Sequence, residues 1–165
     1  MNIIAPADWH TDVHPAWQQT HPDVINLNQD IQHQLPAELE WQFAKLEGRD
    51  IGLLRLIGSI DLKQTFGSYQ LDLISQRLKL DNRPIDRWNH IERINNLTEF
   101  FRAGNPSGPL ILVAAEREGP YTFIDGNHRA VALHLCDRLI GQTVYCGFSA
   151  KIGSDFIPFL VSGMS

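Results

Sequence analysis

A chain of 165 residues with 43% hydrophobic and 20% charged side chains can bury one substantial core but hardly two, which predicts a single folded domain over residues 1–165 and excludes a disordered polypeptide. Its net charge of −5 offers no general attraction to nucleic acid or to an anionic membrane, and no Lys/Arg run supplies a local one, so neither is expected as a partner. Cys136 and Cys146 sit alone among apolar residues and read as small hydrophobes, not as a zinc site or disulfide pair. Met1 to Trp9 shows no basic, apolar leader, so a cytoplasmic location is expected.

Residues 1–36 read as an irregular N-terminal arm, since Pro6 to Pro36 is rich in His, Gln, Asn and Trp without a period. Within it His10 and His14 stand four apart near His21, Asp8 and Asp12. Pro15 and Pro22 interrupt the segment, and these histidines read as solvent-facing and not as metal ligands. Trp9, Trp17 and Trp41 are expected to fold the arm over the core or over a protein partner.

From Pro36, Leu39, Phe43 and Leu46 at i, i+4 and i+7 predict a helix ending near Glu47, with Gly48 behind it. The apolar run Ile51 to Leu62 predicts a buried strand, weakened by Gly52 and Gly58. Leu71, Ile74 and Leu78 predict a short helix that the Asn82-Arg83-Pro84 segment ends. Trp88, Ile91, Ile94, Leu97 and Phe101 predict an amphipathic helix closed by Gly104. After the Asn105–Pro109 turn, Leu110–Ala115 and Tyr121–Ile124 predict a hairpin. Val131, Leu135 and Leu139 continue a helix from Asn127 toward Gly141, and Thr143–Phe148 predicts a last strand. Phe156, Phe159, Leu160 and Val161 form an apolar end suited to a closing helix or to a partner or homodimer surface. The expected fold class is therefore α/β (α+β): a small mixed sheet with flanking helices.

The chemistry concentrates in Asp125-Gly126-Asn127-His128-Arg129, where a strand ends and a helix begins. The first turn of a helix presents N–H groups without intrahelical acceptors, which attract anions. Gly126 permits close backbone approach, Asn127 is suited to cap the helix, and Arg129 is suited to bidentate contact with phosphate oxygens. His128 is suited to donate a hydrogen bond or move a proton.

Pro109–Val113 followed by Tyr121–Ala132 resembles the central unit of the ParB/sulfiredoxin superfamily, in which a hairpin leads to a glycine turn whose basic pair holds nucleotide phosphates. The resemblance covers Trp88 to Phe148, with Ile51–Leu62 as a first strand, and implies a core over 51–148. Asn127 stands where sulfiredoxins carry their reactive cysteine, so sulfinic-acid reduction is disfavoured. The chain has neither the turn pattern nor the length for a ParB helix-turn-helix domain. The turn is most similar to that of the free-serine kinases of the superfamily. That likeness implies an enzyme that binds ATP or a related nucleotide and transfers a phosphoryl group to a small-molecule substrate, or hydrolyses the nucleotide.

It further implies Gly126, Asn127, His128 and Arg129 as nucleotide ligands, with Arg93 and Asn96 of the preceding helix as additional phosphate contacts, Asp125 as the Mg²⁺-side carboxylate, and Asp125, His128 and Asp61 as catalytic residues. Glu47 and Asp50 are weighed beside Asp61 as general base. Two alternatives stand. One is a non-catalytic nucleotide- or anion-binding module that engages a protein partner. The other is a Fic-like nucleotidyl transferase, whose Phe-x-[Asp/Glu]-Gly-Asn-x-Arg core is similar to Phe123–Arg129, although Tyr121 stands where its catalytic histidine belongs and Ala132 where its second arginine does.

Overall fold

The computed structural model describes residues 1–20, 31, 33–80 and 86–152. In chain order they form β1 (Asn2–Pro6), a π-helical turn (Trp9–Val13), α1 (His14–Thr20), β2 (Glu40–Lys45), a 3₁₀ segment (Gly48–Leu53), β3 (Leu54–Arg55), α2 (Ile60–Phe66), α3 (Leu71–Lys79), α4 (His90–Arg102), β4 (Leu110–Ala114), β5 (Tyr121–Asp125), α5 (Asn127–Leu135) and β6 (Thr143–Phe148). The strands make one mixed sheet in the order β1-β2-β6-β4-β5-β3. Pairs β1/β2, β2/β6 and β4/β5 are antiparallel, and β4/β6 and β3/β5 are parallel. The mixed α/β class and the β4–β5 hairpin follow the sequence expectation.

Every residue of β4 and β5 is buried. Sheet strands covered on both faces read as continuous apolar runs, which is why Leu110–Ala114 and Tyr121–Ile124 are legible as strands. The helices α3, α4 and α5 also appear where the apolar spacing puts them. Two boundaries differ: α5 stops at Leu135, and Trp88 precedes α4 with nearly half its surface exposed instead of joining the core stripe.

The helix expected over 36–47 is instead strand β2. Phe43 and Leu46 fit a helical period, but they also fit a strand with two covered faces. On one face Trp41 and Phe43 lie beside Gly147 and Tyr145 of β6, with the Phe43 and Tyr145 rings 5.2 Å apart. On the other, Gln42, Ala44 and Leu46 are buried. Gly147 lets the Trp41 ring pack close, since a Cβ would lie 3.1 Å from three of its atoms.

The strand expected over 51–62 shrinks to Leu54–Arg55 between the 3₁₀ segment and α2. Asp50 drives this: its carboxylate accepts from the Glu47 backbone N–H at 2.7 Å and starts a tight turn. The residues read as an irregular arm contain β1, the π-helical turn and α1. Asp8 accepts from the His10 and Thr11 N–H groups at 2.8 and 3.0 Å. Pro6 is tolerated in the edge strand β1, and Pro15 is the second residue of α1, directly after the π-helical turn. Trp9 then lies 5.3 Å from Trp41 and 5.9 Å from Trp17, so these aromatic side chains fold the segment onto β2. His21, Arg83, Pro84 and the apolar stretch Phe156–Val161 lie outside the described residues. No helix among the described residues is long and apolar enough to cross a membrane.

Candidate functional site

Parallel neighbours β3 and β5 direct their carboxyl ends toward the same edge of the sheet, and each is followed by a helix, α2 and α5. The carboxyl edge of parallel strands is where open α/β sheets form their ligand crevices. The turn from β5 into α5 takes its shape from Gly126, the N-cap, at φ +83°. A Cβ there would lie 2.6 Å from Leu110 Cδ2. Asn127, expected as the cap, is the first residue of α5, and its Oδ1 accepts from the Ile57 N–H at 2.8 Å. It ties the connection between β3 and α2 to the turn.

Three helix N-termini converge at this point. Asp61 is the second residue of α2, His90 the first of α4, and His128 the second of α5. Their side chains form a line: Asp61 Oδ2 lies 3.1 Å from His90 Nε2, and His90 Nδ1 lies 2.8 Å from His128 Nε2. The imidazoles are stacked at 5.0 Å between centroids. A carboxylate only accepts, so His90 donates to it from Nε2–H. The neutral His90 ring then accepts at Nδ1, and His128 donates from Nε2–H.

His90 is absent from the residues expected of the site. Its signal in the sequence is faint: a histidine opening an amphipathic helix four residues after Asp86. That carboxylate caps α4, accepting from the His90 and Ile91 N–H groups at 2.7 Å each.

The hydrogen bond from His90 holds the Asp61 carboxyl well below its ordinary value of 3.8; partial burial opposes this, and Ser59 and the Leu62 N–H assist. Because the folded value is the lower one, the unfolded chain takes the proton first on acidification. The stabilisation from Asp61 is complete above the ordinary value and is lost as the pH falls below it, moderated by solvent around a half-exposed carboxylate. Between about pH 5 and 3 the native chain is expected to lose more stability than Asp61→Asn, as read from urea midpoints. Parallel slopes would contradict the contact.

Arg129 turns inward. Nη1 donates to the Ser107 and Pro109 carbonyls at 2.7 and 3.3 Å, and Nη2 to Asp125 Oδ2 at 2.8 Å. Burial pushes the guanidinium down from its ordinary value and Asp125 opposes the shift; arginine stays charged throughout. Asp125 is only 4% exposed. The pair therefore latches the turn to the loop ahead of β4. As a Mg²⁺ ligand Asp125 is a poor fit, since a cation already faces its carboxylate, and among the described residues no three His, Cys, Asp or Glu side chains are arranged to hold a metal ion.

Arg93 and Asn96 lie on the exposed side of α4, and neither is hydrogen-bonded to the turn. Asp50 is buried in its own cap. Tyr121, at the place of the Fic histidine, is buried, donates to the Arg117 carbonyl, and is pushed up to about 12 chiefly by burial. It lies in a β-hairpin, whereas a Fic domain is helical. Burial likewise pushes the Cys146 thiol up, in keeping with a small core hydrophobe. Comparison with protein-family models, curated proteins and solved structures returned no match to this chain.

Proposed function

We propose that the chain is a ParB/sulfiredoxin-like enzyme that binds the phosphates of ATP or a related nucleotide at the Gly126 turn and transfers a phosphoryl group to a small-molecule acceptor. The observation that carries the reading is the convergence of the α5 N-terminus and the Asp61–His90–His128 line at the carboxyl ends of β3 and β5. A helix N-terminus favours an anion, and an imidazole backed by a carboxylate moves protons near neutral pH. Anion binding at this turn rests on the backbone of α5's first turn, with Arg129 holding the turn in shape from inside. Mg²⁺ enters as the counter-ion of the nucleotide and not through Asp125.

Thermal unfolding of the purified chain with ATP, ADP, AMP, CTP and GTP, each with and without Mg²⁺, tests this. A triphosphate at about 100 times its Kd is expected to add about 2.7 kcal/mol of stability, and that gain should shrink in Gly126→Ala. Silence with every nucleotide would overturn the proposal. Stabilisation without nucleoside diphosphate release, across a panel of hydroxyl acceptors, would assign the non-catalytic binding module instead.

A further inference from the structure

We propose that Asp61, His90 and His128 form a proton relay in which His128 is the base that touches the acceptor hydroxyl and His90 is the positioning residue that carries charge away from it. The inference rests on the phosphoryl-transfer reading above and adds to it His90, a residue outside the glycine turn that takes up the charge from the base within it.

The geometry of the line sets its direction. His90 is almost enclosed, with 9% of its side chain exposed, whereas the Asp61 side chain is 37% exposed. A cationic imidazole in the position of His90 needs an adjacent anion, and Asp61 provides one at 3.1 Å. The 2.8 Å contact between Nδ1 of His90 and Nε2 of His128 requires one ring to donate while the other accepts. With His90 fixed by Asp61, the donor in the neutral state is His128, whose Nδ1 becomes the basic nitrogen. The charged groups on the elements that meet here include Asp61 and Lys63 of α2, Asp86 ahead of α4, Glu92 and Arg93 on the exposed side of α4, and Asp125 with Arg129 in the turn. Of these, Asp61 bonds His90 directly, Asp86 caps α4, and the last two neutralise each other.

The acceptor O–H bond breaks and its proton goes to His128 Nδ1. The acceptor oxygen bonds the terminal phosphorus, and the bond from that phosphorus to the bridging oxygen breaks, its electron pair leaving on the nucleoside diphosphate. The Nε2 proton of His128 passes to His90 Nδ1, so the positive charge comes to rest beside Asp61. Solvent removes the proton after the product departs.

Long-range imidazole ¹⁵N spectra of the unsubstituted chain read the relay without any ligand. In its neutral state His90 is expected to carry its proton on Nε2 and accept at Nδ1, and His128 to carry its proton on Nε2. A His90 ring protonated on Nδ1 with a bare Nε2 would overturn the relay. In turnover with Mg²⁺-ATP and the acceptor found by screening, His128→Gln is expected to lower kcat by about 10²–10⁴-fold, the usual range for removing a general base. His90→Gln should lower kcat with little change in KM for the nucleotide. Asp61→Asn should move the acid limb of the pH–rate profile to lower pH, because the cationic pair loses its anion. A wild-type rate and profile in His90→Gln would likewise overturn the relay. A wild-type chain that no nucleotide stabilises would instead overturn the phosphoryl-transfer reading, and the spectra judge the relay apart from it.

Discussion

Arg129→Ala is expected to destabilise the fold by about 3–5 kcal/mol, the cost of breaking a buried ion pair from one side. The guanidinium ties three groups together: the Asp125 carboxylate at 2.8 Å and the carbonyls of Ser107 and Pro109. Removing it takes that cation away from a carboxylate with 4% exposure, and leaves the loop ahead of β4 without its anchor to α5. Asp125→Asn retains an acceptor for Nη2, so it should cost less. The double variant Asp125→Asn/Arg129→Ala should fall short of the sum of the two singles, because the two side chains act on each other directly. Urea unfolding followed by tryptophan fluorescence measures all three. A loss below about 1 kcal/mol in Arg129→Ala, the size of a surface ion pair, would contradict the latch.

Gly126→Ala is expected to cost about 2–5 kcal/mol, from two separable sources. A left-handed backbone costs an L-residue roughly 1–2 kcal/mol, and Gly126 sits at φ +83°. The new Cβ would also fall 2.6 Å from Leu110 Cδ2 and 3.0 Å from Arg129 Nη2, and forcing such overlap in a packed region costs about 1–3 kcal/mol more. Gly141 supplies the control. It has the same φ of +83°, but nothing lies within 4 Å of the place a Cβ would take, so Gly141→Ala should show the backbone part alone. Equal losses in the two variants would mean that Leu110 yields freely and that close packing of the turn is not what selects glycine. Nucleotide stabilisation should weaken in Gly126→Ala and persist in Gly141→Ala, which separates a distorted site from a less stable fold.

Arg129 and Gly126 belong to the one segment whose importance is plain in the sequence, and the elements around it mark where local patterns stop. The hairpin β4–β5, the helices α3, α4 and α5, and the strand β6 are legible because each carries its pattern within a short stretch of chain. Strand β2 is not. Its pairing partner β6 lies far along the chain, Glu40 meeting Phe148 and Lys45 meeting Thr143, and a strand covered on both faces mimics a helical period when read alone. The short β3 and α2 share one apolar run, and only the Asp50 turn before them and the pairing of Leu54–Arg55 with Tyr121–Thr122 divide it. The same limit governs the site. Asp61 is visible as a carboxylate at the end of an apolar run and His128 as a basic residue at a helix start, but His90 lies 29 positions from one and 38 from the other, and no spacing rule joins them.

By itself, then, the amino-acid order determined where the chain could bury its apolar runs, that a glycine would turn β5 into α5, and that a histidine and an arginine would follow that turn. Those features depend on backbone conformation and on periodicity, which are local. Tertiary structure alone decided the direction in which each side chain works. The Ser107 and Pro109 carbonyls and the buried Asp125 draw Arg129 inward, Ile57 takes Asn127 away from capping, and the meeting of three helix N-termini joins His128 through His90 to Asp61. Hydrogen bonds and ion pairs act over a few ångströms, so their partners are settled only once the sheet has brought distant segments to one edge.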